Sequence, residues 1–371
     1  MILFFIGILL SVNYFTLYNF YDIPTIGGLN LALSIIKEVN TMADKKTISI
    51  LGAGAMGWGI GYILSTYGKT QVRIWDRDSR LISEAKRTRQ NLKYSDPAII
   101  LPEEVLLSDD LRGVLAGSDL VLLGVPSFAV REMCQKISDF PISALLMISK
   151  GMEKETSFLP FQVAEEVLEK IEILHLTGAG YGKDVHKKIP VTELLASRNE
   201  NLLEEVKNLL ETDWLTIKTS TDLLGAQLAG ALKNVMVIGI GMVLGEKNNP
   251  DMRAKLIEEG VQEMINLGKV MGAEEQTFLG PAGKGDLEIS TDPHSRNYHL
   301  GQSLAEKGID EVQRELQEKG MTVEGFHTAW AARQLSQKYR VQLPIAEEVF
   351  NVIYERKNPQ TSSTQLRNLV G

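Results

Sequence analysis

The chain has 371 residues, 44% of them hydrophobic and 23% charged, which is enough for two domains with a sizeable core. A formal net charge of −8 excludes a nonspecific nucleic-acid binder, so any anionic ligand must be met by a few clustered Lys and Arg residues. The single cysteine, Cys134, excludes an intrachain disulfide framework and a thiolate metal site; no metal is expected, and a reducing, cytoplasmic setting is.

Residues 1–45 differ in character from the rest of the chain. Met1 to Leu10 is almost wholly apolar, too short to span a bilayer and without a basic residue ahead of it. It reads either as a weak signal or anchor or, preferably, as an extension ahead of a natural start at Met42-Ala43-Asp44-Lys45-Lys46. No stable membrane insertion is expected.

The central signal comes next. The apolar strand Ile48 to Leu51 enters Gly52-Ala53-Gly54-Ala55-Met56-Gly57, and a helix runs on to about Tyr67. In such a turn Gly52 permits the tight bend, Gly54 lets a pyrophosphate approach, and Gly57 lets the helix lie on the sheet; Ala55 and Met56 open the helix whose N–H groups favour the anion. A second strand, Gln71 to Trp75, ends at Asp76, about twenty residues on, where a ribose-reading acid belongs. Asp76 suits the 2′-hydroxyl of NAD, whereas Arg77 suits the 2′-phosphate of NADP, so the two residues leave the choice open.

A helix from Ser79 to about Asn91 and an irregular stretch with Pro97 and Pro102 come after it. Phe128 to Ile137 is helical, which makes Cys134 a buried thiol rather than a nucleophile. Leu120 to Gly124 and Ser143 to Ser149 are continuous apolar strands of the parallel type. They end in Val125-Pro126-Ser127 and in Lys150-Gly151, at the strand edge where open α/β sheets bind ligands. Ile171 to Leu176, Val191 to Ser197 and Leu215 to Thr219 complete the strands. Residues 46–219 therefore read as a Rossmann-like domain, a mostly parallel doubly wound sheet.

From residue 220 the pattern turns helical, and residues 220–371 read as an all-α domain. Ser220-Thr221-Asp222 caps a long apolar helix, Leu223 to about Leu244, whose one charged residue is Lys233. A lysine there is costly unless paired or opened onto a cleft, and desolvation lowers its pKa toward useful proton-transfer values. Further helices are expected at Met252–Met271, Ser295–Lys307, Asp310–Lys319, Val323–Tyr339 and Ile345–Tyr354. Between them, Gly280-Pro281-Ala282-Gly283-Lys284-Gly285-Asp286-Leu287 turns onto a carboxylate. Ser295-Arg296-Asn297 opens a helix with phosphate-binding chemistry.

Taken together, these motifs resemble the bacterial-type NAD(P)-dependent sn-glycerol-3-phosphate dehydrogenases from Lys46 to about Lys357. The resemblance rests on the glycine turn, Val125-Pro126-Ser127, Ser149-Lys150-Gly151, Gln227 through Lys233-Asn234, Ala282 through Asp286-Leu287, Ser295-Arg296-Asn297 and Val323-Glu324-Gly325. It implies reduction of dihydroxyacetone phosphate to sn-glycerol 3-phosphate, supplying phospholipid synthesis. It implies Lys233 as the proton donor and acceptor, with Lys150 and Asp286 beside it as catalytic residues. Substrate contacts are implied for Lys150, Gly178, Lys233, Asn234, Asp286, Ser295, Arg296 and Asn297. Cofactor contacts are implied for Gly52, Gly54, Ala55, Met56, Gly57, Asp76, Arg77, Pro126, Lys150, Gly182, Arg296 and Glu324. The implied partner is a small phosphorylated substrate, with a homodimer the default assembly.

One segment departs from the family. Where its members usually read Gly-Pro-Ser/Thr-x-Ala-x-Glu, this chain has Gly178-Ala179-Gly180-Tyr181-Gly182-Lys183-Asp184. Two other readings are therefore weighed: a related two-domain dehydrogenase of the beta-hydroxyacid or ketopantoate type, preferring carboxylates, and a non-catalytic NAD(P)H sensor. Retention of Lys150, Lys233, Asp286 and Arg296 together speaks against the sensor.

Overall fold

Parallel strands dominate the first half of the chain because each ends in a turn and returns through a helix or an irregular crossover. The computed structural model describes residues 45–371 apart from 69, 181, 246–248, 293–294 and 319–322; residues 1–44 of the stretch read as an N-terminal extension lie outside the described residues. In order, β1 (Lys46–Leu51) leads to α1 (Ala55–Thr66), β2 (Thr70–Trp75) to α2 (Ser79–Thr88), and β3 (Leu106–Ser108) to α3 (Leu111–Leu115). Then come β4 (Leu120–Leu123), α4 (Val130–Ile137), β5 (Ala144–Met147), α5 (Pro160–Val167), β6 (Glu172–Gly178), β7 (Val191–Ser197), α6 (Glu200–Leu210) and β8 (Leu215–Ser220).

These strands form one sheet in the order β3-β2-β1-β4-β5-β6-β7-β8, parallel throughout except that β7 runs antiparallel to β6. The order reverses between β1 and β4, so the crevice at their carboxyl ends is the ligand-binding position of an open α/β sheet. Alternation along each strand feeds both faces. Ile48, Ile50, Leu122, Leu146, Leu174 and Leu195 pack with α1 on one side, and Leu51, Val121, Leu123, Leu145 and Met147 pack on the other.

The second half is helical. It comprises α7 (Leu223–Leu244), α8 (Pro250–Met271), α9 (Glu275–Leu279), a π turn at Pro281–Gly285, α10 (Asp286–Ser290), α11 (Arg296–Lys307), α12 (Ile309–Glu318), α13 (Glu324–Tyr339), α14 (Pro344–Tyr354) and α15 (Pro359–Val370). Asp222 caps α7, accepting from Gly225 N–H at 2.8 Å, and its other oxygen accepts from Glu274 N–H and Thr277 Oγ1. Every residue of α7 but Leu224 is buried. Among the described residues it is the one helix long and apolar enough to cross a membrane, and it lies wholly inside the protein. Close approach of α11 to α7 explains one glycine on each: a Cβ on Gly241 would stand 2.4 Å from the Tyr298 carbonyl, and one on Gly301 would stand 2.1 Å from that of Ile238. Gln227, polar on an apolar helix, is satisfied by accepting from Phe161 N–H at 2.9 Å.

Helix α2 stops at Thr88 rather than near Asn91. Arg89 takes the left-handed conformation at φ 59°, and its guanidinium donates to the carbonyls of Leu101, Pro102 and Val105. That anchoring folds the stretch read as irregular into β3 and α3, both too short for periodicity to mark.

Glu263 on α8 is 1% exposed, and its carboxylate accepts the N–H groups of Ile345 and Ala346 at the start of α14. Burial pushes this carboxyl up to about 8 despite those donors. A folded-state value above the unfolded one gives stability that is full below the unfolded pKa and lost as pH rises through the folded one. Wild-type protein is therefore expected to lose a few kcal/mol relative to Glu263→Gln between about pH 5 and pH 8. Urea midpoints across that range measure it; a difference that stays flat with pH is the contrary result.

Candidate active site

The glycine turn fits a dinucleotide by its shape. Gly52 has φ +112°, and a Cβ there would meet the Gly124 carbonyl at 2.6 Å, so the turns after β1 and β4 touch. A Cβ on Gly57 would stand 2.2 Å from Gly52 O, which is the close helix–sheet approach. Around Gly54, by contrast, an added Cβ meets nothing within 4 Å, and no side chain caps α1 there. Room for an anion and uncapped helix-start N–H groups thus coincide at Gly54, Ala55 and Met56. Asp76, ending β2, accepts from Ala53 N–H at 2.8 Å and from Asp78 N–H at 2.9 Å, which ties the acid to the turn, while Arg77 stands exposed beside it.

At the far side of the crevice three charged side chains converge. Lys233, midway along α7 and 7% exposed, donates to Asp286 Oδ1 at 3.0 Å and to Ser290 Oγ at 2.9 Å. Lys150, just beyond β5, donates to Asp286 Oδ2 at 2.6 Å and to the Gly178 carbonyl at 3.1 Å. One carboxylate holds two ammonium groups, one on each of its oxygens. Asp286 is placed by the π turn, in which Gly285 N–H donates to the Gly280 carbonyl five residues back at 3.2 Å.

The electrostatics follow from this geometry. Burial pulls the Lys233 ammonium below its ordinary value; Asp286 opposes the fall and Lys150 adds to it. Burial would raise the Asp286 carboxyl, but the ammonium groups of Lys150 and Lys233 outweigh it and hold the acid below its usual range. His175 is close by on β6 but does not compete as a proton donor. Its Nδ1 lies 3.0 Å from the Met147 carbonyl, and complete burial drives its pKa down to about 3.

A second group forms the wall. Asn234 Nδ2 donates to the Lys150 carbonyl at 3.3 Å, and Asn297 Nδ2 donates to Asn234 Oδ1 at 2.8 Å. Gly325 N–H donates to Asn297 Oδ1 at 3.3 Å. Glu324, opening α13, accepts from Ser127 N–H at 3.0 Å, so the loop carrying Pro126 meets the helical half directly. Burial raises the Glu324 carboxyl, while Ser127 N–H, Arg296, Lys150 and Lys233 pull it back. Arg296 itself is exposed as the first residue of α11, with Ser295 in the capping position. Gly178 belongs to this wall through its bond to Lys150. Gly182 instead backs onto α1, where a Cβ would lie 2.3 Å from the Ala55 carbonyl.

Two residues without a role in the sequence reading belong to the site. Ser290 lies four residues after Asp286, on one face of α10, and its hydroxyl is 3.2 Å from Asp286 Oδ1. Glu193 lies on β7 between Thr192 and the apolar run Leu194–Ala196, directly opposite Gly178; a charge next to that run was its only sequence signal.

Comparison with known proteins covers most of the described region. A family model described as NAD-dependent glycerol-3-phosphate dehydrogenase N-terminus matches residues 47–203, and the corresponding C-terminus model matches residues 222–364. The glycerol-3-phosphate dehydrogenase of Thermoanaerobacter sp. (strain X514), named for NAD(P)+, is 34% identical over 316 residues, covering 84% of this chain and 94% of the relative. That of Fusobacterium nucleatum is 33% identical over 326 residues, covering 86% and 96%. The crystal structure of glycerol-3-phosphate dehydrogenase from Coxiella burnetii superposes with a TM-score of 0.80 at 29% identity, covering 87% of this chain and 98% of that one.

Proposed function

Since this chain belongs to the NAD-dependent glycerol-3-phosphate dehydrogenases, we propose how its own residues divide the work of that reaction. The enzyme reduces dihydroxyacetone phosphate to sn-glycerol 3-phosphate with NAD(P)H. NAD(P)H, when bound, supplies the hydride. Gly52, Gly54, Ala55, Met56 and Gly57 would hold its pyrophosphate and Asp76 and Arg77 its adenosine end, with Pro126 and Glu324 as further cofactor contacts.

The ketone oxygen becomes negative as C2 is reduced. Lys233 is suited to meet that charge, because its ammonium is desolvated and aimed by Asp286 and Ser290. Its Nζ gives the proton to the oxygen, and the neutral amine left behind is what burial favours. Lys150 adds positive potential from the other oxygen of Asp286 and would contact both substrate and cofactor. Asn234 and Asn297 orient the substrate hydroxyl and carbonyl. Arg296 and Ser295, with the N–H groups that open α11, clamp the phosphate.

The observation that carries this assignment is the sharing of one buried carboxylate by two lysines at the carboxyl edge of a parallel sheet. The related keto-acid dehydrogenases are not favoured, because glycerol-3-phosphate dehydrogenase models match both halves of the chain. Cys134, wholly buried with its thiol pushed up to about 12, suits a reducing cytoplasm, and a homodimer is the assembly we expect.

NADH oxidation with dihydroxyacetone phosphate, dihydroxyacetone and ketopantoate tests the reading. The phosphate ester should be preferred by at least about 100-fold in kcat/KM, and Arg296→Ala should remove most of that preference through KM. Equal use of ketopantoate, or a KM unchanged in Arg296→Ala at low salt, is the contrary outcome.

A further inference from the structure

Glu193 is 5% exposed on β7, directly opposite Gly178 in the antiparallel ladder. Its carboxylate accepts the N–H of Gly180, and a Cβ on Gly180 would stand 1.9 Å from Oε1, so only glycine lets the carboxylate lie against that backbone. Glu193 therefore grips both ends of the Gly178–Gly180 turn, one end through the ladder and the other through its side chain. Gly178 is also the residue whose carbonyl receives Lys150 Nζ. Beyond the turn, Gly182 rests on the first residues of α1, where its carbonyl would lie 2.5 Å from a Cβ on Gly59. One buried acid thus stands at the junction between the lysine-bearing site and the nucleotide turn.

We propose that Glu193 is a positioning residue of the reduction, fixing the turn on which Lys150 rests and opposing the negative charge of the phosphate substrate. The proposal rests on the reading of Lys150 and Asp286 as substrate-side groups. Ionised, the carboxylate makes a charge-assisted bond to Gly180 but adds an anion beside a site built for a dianion. Protonated, it loses that opposition. Burial, and to a lesser degree the field of Asp286, raises the group, while Lys150 and Gly180 N–H lower it, leaving it at about 7. The other charged groups around it are Asp184, Lys218, Lys284 and Glu288, which line the neighbouring cavity of about 670 Å³ and are wholly or partly exposed.

Steady-state kinetics from pH 6 to pH 8 on the full chain, wild type beside Glu193→Gln and Glu193→Leu, tests this. Glutamine keeps an acceptor for Gly180 and cannot ionise. The wild-type KM for dihydroxyacetone phosphate, divided by that of Glu193→Gln, should rise from about 1 at pH 6 to about threefold to tenfold at pH 8, with the kcat ratio flat. The substrate's own phosphate ionisation near pH 6 cancels in that ratio. Glu193→Leu, which loses the tether, should raise KM for both substrate and NADH throughout. A KM ratio independent of pH overturns the proposal, as do wild-type constants in a folded Glu193→Leu. Failure of the wild type to reduce dihydroxyacetone phosphate at all would instead overturn the reading on which the proposal stands.

Discussion

Lys233→Met is expected to lower kcat for dihydroxyacetone phosphate reduction by about 10³-fold or more while NADH affinity stays within about twofold. Methionine fills nearly the same volume and is at home in an apolar helix, so the substitution removes the ammonium without opening a cavity. Asp286 keeps Lys150 on its other oxygen at 2.6 Å, and the Ser290 hydroxyl stays within reach, so no buried carboxylate is left unpaired. The nucleotide turn at Gly52–Gly57 lies across the crevice on a different element and contributes nothing to this cluster. A fall in kcat with binding intact therefore isolates proton transfer and charge stabilisation from cofactor capture. Stopped-flow NADH oxidation gives the first quantity and fluorescence titration of NADH the second. Loss of NADH binding in this variant would contradict the assignment.

The same residue shows how much of the site the sequence alone reveals. An ammonium on a helix otherwise free of charge from Leu223 to Leu244 has to be paired or functional, because bare burial costs too much. The glycine turn was legible for a similar reason: three glycines at fixed spacing between a strand and a helix have one common physical use. Ser290 was not legible, since a serine four residues after an aspartate is ordinary on any helix, and only the π turn at Pro281–Gly285 aims the pair at Lys233. Glu193 escaped because strand alternation tells which face a residue takes but not which backbone it will meet there. The short elements β3 and α3 were hidden too. Their position depends on Arg89 reaching three carbonyls that lie 12, 13 and 16 residues further along the chain.

Asp286→Ala should be the most destabilising change in the site, costing on the order of 3–5 kcal/mol near neutral pH as well as activity. In the native protein this acid accepts from two lysines and is 2% exposed, so its removal leaves Lys233 almost fully buried with only Ser290 to receive its protons. The pH dependence identifies the cause. Lys233 is already depressed below its ordinary value by burial, and losing the Asp286 charge depresses it further. A base whose folded value is depressed carries stability above its unfolded pKa and loses it as pH falls through the folded one. The deficit of Asp286→Ala relative to wild type should thus be full near neutral pH and shrink as pH rises toward the ordinary lysine value, where the unfolded chain also sheds the proton. On the acid side the wild type loses its own advantage, because Asp286, held below its usual range, contributes stability that is full above the unfolded carboxyl pKa and lost as pH falls through the folded one. Denaturant midpoints for both proteins from pH 2 to pH 10 trace that curve. If the deficit is constant from pH 7 to pH 10, the cost is packing around a lost side chain, and the two lysines are not held in place by the charge they share.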